Sequence, residues 1–175
     1  MSERTISVFN LKSDKLNYKF DYNADETKAL RDRSYEHITI EDLRRIALWK
    51  LSRIVDVPDS LIERMRAMAT TTELTVDSDQ SRLIITDLIA CDGVGFPMAS
   101  SFLKFIRPDV YPIIDVRAYR ALTGKRLRSN QYNLDLYLEY VRRIQDIAND
   151  LKIPLSIVDE QLYCFDKELN KGIDS

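Results

Sequence analysis

The sequence predicts an all-α protein, and two observations favour this class. From residue 40 onward, apolar residues recur at the three- and four-residue spacing of amphipathic helices. Prolines at positions 58, 108 and 154 stand between these segments, where helices begin or end. No repeat or linker-like tract interrupts the chain, so we expect a single helical domain over residues 1–175. Residues 1–38 lack the helical pattern and are expected to form an irregular arm.

The first helix is expected over about residues 40–53. Thr39 can cap it, and the carboxylates of Glu41 and Asp42 complement the positive end of its dipole. Its expected apolar face comprises Leu43, Ile46, Ala47 and Leu48.

Further helices are expected along the rest of the chain. Their approximate ranges are 59–68, 79–89, 96–107, 115–122, 132–150 and 156–169. In the helix at 79–89 the expected apolar face is Leu83, Ile84, Leu88 and Ile89. In the helix at 96–107 it is Met98, Ala99, Phe102, Leu103 and Phe105.

Composition narrows the classes of function. No window of eighteen residues is continuously apolar, and the first residues lack a signal-peptide pattern, so we expect no membrane span and a cytoplasmic protein. Two cysteines and one histidine are too few for a disulfide framework, a four-thiolate cluster or a zinc site, so we expect no metal and no cofactor. Cys91 is expected to be buried in a helix, and His37 to lie on the surface.

The charge of the chain is unevenly distributed. The net charge is −2, which by itself does not favour nucleic-acid binding. Between Lys104 and Arg128, however, there are seven cations and two acids, a balance of +5. This segment could form a basic face that binds phosphates, or only a solvated helix face.

Two of the four glycines, Gly93 and Gly95, lie between two predicted helices in the sequence Asp-Gly-Val-Gly. Glycines permit positive φ and let the backbone approach another molecule closely. The first N–H groups of the following helix have no partner within that helix, so an anion such as a nucleic-acid phosphate could bind there. The alternative is a tight helical hairpin in which the glycines only permit close packing.

The wider stretch resembles the helix-hairpin-helix DNA glycosylases of base excision repair. The resemblance lies in the block Ile89–Ala99, which contains the two glycines, and in Tyr111–Arg117, with its Tyr-Pro and its aspartate. It covers about Ser81 to Leu122 and implies a hairpin motif at about 81–107 within a glycosylase-like helical bundle. A short uncharacterised bacterial branch of this family also carries the Trp-Lys-x-x-Arg pattern seen at Trp49–Arg53.

The resemblance implies a role for each matching residue. Gly93, Val94, Gly95 and Ala99 would bind the backbone of double-stranded DNA through their amides, with Lys104 adding positive charge. Asp115 would be the catalytic aspartate. The family receives a flipped-out nucleotide in a cleft between two helical lobes. Because aromatic and arginine side chains stack on bases and cations pair with phosphates, the residues expected to line this pocket are Trp49, Lys50, Arg53 and Tyr111.

The chemistry expected of Asp115 is hydrolysis of an N-glycosidic bond. Cleavage builds positive charge on the sugar, which a carboxylate can stabilise while it orients water. Pro97 stands where the family's bifunctional members carry a lysine nucleophile, so lyase chemistry by a Schiff base at that position is excluded.

The alternatives are structural. Asp115 could instead serve as a helix cap. Trp49 and Arg53 could simply end an amphipathic helix. The chain could then be a DNA-binding or protein-interaction module without catalysis.

Overall fold

The fold is described from a computed structural model. It covers residues 6–22, 24–50, 55 and 57–173, apart from the side chain of residue 25. All regular structure in this part of the chain is helical, which confirms the all-α prediction. The α helices are α1 (Ala24–Arg31), α2 (Ile40–Lys50), α3 (Asp59–Ala69), α4 (Asp79–Ile89), α5 (Phe96–Ile106), α6 (Val116–Thr123), α7 (Leu134–Leu151) and α8 (Leu155–Leu169).

Helix α1 lies inside the segment that we expected to be irregular. The prediction is wrong for this helix, and the reason is its composition. Only Thr27 and Leu30 of its described side chains are buried, so it carries no apolar stripe for a pattern to reveal. Residues 6–22, by contrast, contain no helix.

The described residues fall into two compact units. The single domain expected from the sequence stays a prediction. The unit formed by residues 21–113 contains α1 to α5. Helix α5 contacts α2, α3 and α4, and each of its residues except Pro97 is buried. The hairpin turn at its N-terminus is therefore attached to a firmly packed helix.

The other unit combines the described residues of 1–20 and 114–175 and contains α6, α7 and α8. Helix α8 packs against both α6 and α7. The Arg120 guanidinium of α6 donates to both carboxylate oxygens of Asp166 in α8, at 2.8 and 2.6 Å, and both side chains are fully buried. Asn170 holds the N-terminal segment through two hydrogen bonds with the backbone of Ser7.

Two of the expected apolar faces are wrong at one position each. Leu48 is 61% exposed and Leu83 is 53% exposed. Successive helical residues are rotated by about 100°, so Leu48 falls outside the face formed by Leu43, Ile46 and Ala47. In α4 the buried residue is Ile85 instead of Leu83.

The cap predicted for α2 is present. The Thr39 hydroxyl accepts from the Asp42 N–H at 3.3 Å, and the Asp42 carboxylate accepts from the Thr39 N–H at 2.8 Å. The two residues therefore satisfy each other's backbone donors. Of the described helices, none is both long and apolar enough to cross a membrane.

Candidate nucleic-acid interface

The hairpin turn joins α4 to α5 through residues 90–95. The Val94 N–H donates to the Cys91 carbonyl at 3.1 Å, and the Val94 side chain is 4% exposed. Gly93 has a φ of 77°, so this position requires the left-handed conformation that glycine adopts most readily. Gly93 and Gly95 are both exposed. The turn is thus anchored by valine and presents its glycines to solvent.

Two backbone amides of the turn are open to a ligand. Within the described part of the chain, the N–H groups of Gly93 and Gly95 make no hydrogen bond. The amides of Met98 and Ala99 both donate to the Gly95 carbonyl, at 3.0 and 2.9 Å. The Ala99 amide is therefore bonded within the helix and the Val94 amide within the turn. The backbone-binding roles expected for these two residues stay predictions.

Gly95 is required neither by its conformation nor by its packing. Its φ of −89° and ψ of 172° are open to any residue. A Cβ built at this position would meet only Pro97 Cδ, at 3.9 Å, which is an ordinary contact. A glycine needed only for close packing would have crowded neighbours, so packing does not account for Gly95. What it does provide is an unobstructed approach to its own N–H.

Asp115 is the N-cap of α6. Its Oδ1 accepts the Ala118 N–H at 2.8 Å, and the residue is partly buried. This hydrogen bond shows that the capping role expected as an alternative for Asp115 is present. The negative charge of Asp115 also acts on Tyr140: burial raises the pKa of Tyr140 well above its ordinary value, and the charges of Asp159 and Asp115 add to that rise.

Two expected pocket residues, Trp49 and Tyr111, lie in the core. Trp49 is 5% exposed, and its indole N–H donates to Thr27 Oγ1 at 2.8 Å. Its ring packs edge-on against Tyr22 and Phe105, with centroids 5.1 Å away in each case.

Tyr111 is fully buried, with its hydroxyl 2.5 Å from Ser81 Oγ. Burial raises the pKa of Tyr111 to about 12. Neither Tyr111 nor Trp49 presents a surface on which a base could stack. Of the other expected pocket residues, Lys50 is the partly buried last residue of α2. Arg53 lies outside the described residues.

Several cations of the basic segment between Lys104 and Arg128 are engaged inside the protein. Lys104 is 3% exposed and cannot present its ammonium to a DNA strand. Arg107 forms an ion pair with Asp109 and donates to the Thr71 carbonyl at 2.5 Å. The Arg120 side chain is fully buried against Asp166.

Arg117 is held within its own unit. It lies 3.5 Å from the Asp166 carboxylate, and its guanidinium stacks 5.9 Å from the centre of the Tyr163 ring. The cations that remain exposed are Lys125, Arg126 and Arg128, in the loop after α6. These three belong to the seven cations of the basic segment, but none of them was predicted as a site residue. The absence of any acid between Asp115 and Asp135 is the feature of the sequence that could have pointed to them.

A groove of about 500 Å³ lies on the hairpin's own unit, between α3 and the end of α4. Its lining includes the ion pair of Arg64 with Asp87, and also Cys91 and Asp92.

Cys91 is partly exposed and lies after the end of α4, so the prediction of a buried helical cysteine is wrong. Its Sγ donates to the Asp87 carbonyl at 3.3 Å. His37 is exposed, as expected.

Comparison with known proteins finds no matching family model, no matching curated protein and no matching solved structure.

Proposed function

We propose that this protein binds double-stranded DNA through the hairpin turn at residues 92–95, as a helix-hairpin-helix protein of the DNA glycosylase type. The observation that carries the proposal is Gly95. It is exposed, neither its conformation nor its packing requires glycine, and its N–H is unbonded among the described residues. Glycine is favoured at an N-cap, and here it also leaves the N–H open to a molecule that approaches the backbone closely.

A phosphate is the group that such a turn suits. The Gly93 and Gly95 amides supply two donors, and Gly95 stands at the positive end of the eleven-residue helix α5. Contacts of this kind fix a protein on the sugar-phosphate backbone and carry no information about base sequence. We therefore expect binding that falls with salt and varies little between duplexes of different sequence.

The test is the affinity of Gly95→Ala for a fluorescent 20-base-pair duplex. The added methyl group has room in the free protein. Alanine is a poorer N-cap than glycine but makes the unfolded chain less flexible, and because these effects oppose each other the melting temperature should change little. It would stand where a phosphate must approach, so we expect Kd to rise about tenfold or more, which corresponds to the loss of a phosphate hydrogen bond in the complex. Gly172→Ala adds the same methyl group in the C-terminal tail. Its φ of 80° strains alanine, so a small loss of stability is expected there, but Kd should stay unchanged.

Native affinity in Gly95→Ala would contradict the proposal. So would the absence of any salt-dependent binding by the native chain.

A second function, hydrolysis of an N-glycosidic bond in a damaged nucleotide, is proposed for Asp115. The supporting observation is that its Oδ1 is fixed by the Ala118 N–H, so the carboxylate is held in one orientation on a partly buried helix terminus. A preorganised carboxylate of this kind can stabilise the positive charge that develops on the sugar.

This second proposal is tested with a panel of oligonucleotides carrying damaged bases, followed by alkali to reveal abasic sites. Asp115→Asn keeps the capping oxygen, because asparagine caps helices as well as aspartate does. We expect this variant to bind DNA and to have lost base release. If the native chain releases no base from any member of the panel, DNA binding without catalysis remains, an outcome that the burial of Trp49 and Tyr111 favours.

A further inference from the structure

We propose that the loop at residues 125–128, between α6 and α7, is a second phosphate-binding surface for duplex DNA. This inference rests on the proposed DNA binding, and it assigns the electrostatic contribution to residues that the resemblance does not mark. The loop carries Lys125, Arg126 and Arg128, all of which are exposed.

Two charges of this loop, those of Lys125 and Arg128, are available to a partner. In the described part of the chain, Lys125 and Arg128 form no ion pair, and the sequence contains no acid between Asp115 and Asp135. The other cations of the basic segment are engaged, with Lys104 and Arg120 buried and Arg107 paired with Asp109. This loop is therefore where the local excess of positive charge reaches solvent.

The loop is held in a defined shape before any partner arrives. At its start, the Gly124 N–H donates to the Arg120 carbonyl at 2.7 Å, and the Lys125 N–H donates to Thr123 Oγ1 at 3.1 Å. In its middle, Leu127 is 4% exposed and anchors the loop in the core.

At the end of the loop, the Arg128 N–H donates to Gln131 Oε1 at 2.7 Å, and the Arg128 carbonyl accepts the Gln131 N–H at 3.0 Å. A backbone fixed at both ends loses little conformational entropy on binding. The buried Leu127 leaves the cations on either side of it facing solvent. The arrangement suits a rigid, regularly charged polyanion, and the DNA backbone is one.

The experiment measures binding of the 20-base-pair duplex between 50 and 200 mM salt for the native chain and for Lys125→Gln/Arg128→Gln. Each phosphate contact that is lost reduces the slope of log K against log salt by about 0.9, so we expect a decrease of about 2 and a roughly tenfold rise of Kd at 0.1 M salt. The control, Lys12→Gln/Lys15→Gln, removes the same charge from two exposed residues and should change the slope far less.

The possible outcomes separate this inference from the function on which it rests. An unchanged slope in the loop variant, with Gly95→Ala still weakened, would overturn the loop assignment alone. A reduced slope in the loop variant, with native affinity in Gly95→Ala, would overturn the hairpin and support the loop. If the loop variant and the lysine control lost the same amount of salt slope, the change in net charge alone would explain the effect, and the loop assignment would be overturned. A native chain that does not bind the duplex would overturn both.

Discussion

Helices α5 and α6 begin in opposite ways. The N-cap of α5 is Gly95, which has no side chain to offer and leaves its own N–H exposed and unbonded among the described residues. The N-cap of α6 is Asp115, whose carboxylate accepts the Ala118 N–H. The carboxylate of Asp115 already occupies the N-terminus of α6, which leaves less room there for another anion. A helix without a side-chain cap can bind an anion that a ligand provides.

The same contrast extends to the charged side chains near these helices. The guanidinium of Arg120 in α6 is paired with Asp166 inside the protein. The turn before α5 presents backbone donors to solvent. The comparison therefore predicts that changes around α6 affect stability, and that changes at the turn before α5 affect binding.

The largest effect on stability is expected for Asp166→Ala. The change leaves the Arg120 guanidinium buried without its carboxylate, and removing one partner of a buried ion pair costs about 3–5 kcal/mol. Urea denaturation would measure the loss in the free energy of unfolding. Asp150→Ala, at an exposed position near the end of α7, is the control and should change it by at most about 0.5 kcal/mol. A loss below about 1 kcal/mol for Asp166→Ala would contradict this account of α6.

Gly124→Ala should have the next largest effect. Gly124 has a φ of 72°, and an added Cβ would lie 2.8 Å from Val8 Cγ2. Both the strained backbone and the contact oppose the methyl group, so we expect a loss of about 1–3 kcal/mol in thermal or urea unfolding. The same change at Gly95 meets neither obstacle. If the two alanine variants had equal stability, the distinction between a structural and a ligand-directed glycine would fail.

Asp115→Ala should cost about 1 kcal/mol, because α6 loses its N-cap. Asp115→Asn should retain native stability, since its amide oxygen can accept the same N–H. The free energies of unfolding of the two variants, measured side by side, isolate the cap. Equal destabilisation of both would show that the carboxylate charge, and not the cap, stabilises this region.

Gly95→Asp converts the start of α5 into the arrangement seen at α6. The new carboxylate can cap α5, so we expect stability to rise by only a few tenths of a kcal/mol. It also places a negative charge where the phosphate would bind, so duplex binding should fall at least tenfold. Fluorescence anisotropy measures the binding and urea denaturation the stability. Native affinity in this variant would contradict the role given to the turn.

The sequence predicted those features that depend on interactions between residues close together in the chain. The caps at Thr39 and Asp115 depend on a side chain and an amide three residues away, and both are present. The hairpin turn was visible because glycine and the flanking helical patterns mark it within a few residues. Helix α1 was not predictable, because it buries too few apolar side chains to leave a pattern.

Burial of polar and aromatic residues depended on distant partners. The indole N–H of Trp49 can be buried at low cost because Thr27 accepts it, and the Tyr111 hydroxyl because it pairs with Ser81. Neither partner follows from the residues around the motif. The same limit applies to the basic segment, where the number of cations was evident but their engagement was not. The part of the candidate interface that is open to solvent, Gly93 and Gly95, is the part that depends least on such contacts.

The most direct test of phosphate binding by the hairpin turn is an amide NMR titration of the native chain with duplex DNA. The chain has four glycines, whose amide signals fall in a distinct region and can be followed one by one. The account predicts that the Gly93 and Gly95 signals move as the duplex saturates the protein, while the Gly172 signal stays in place. Saturation of binding with the Gly93 and Gly95 signals unmoved would contradict it.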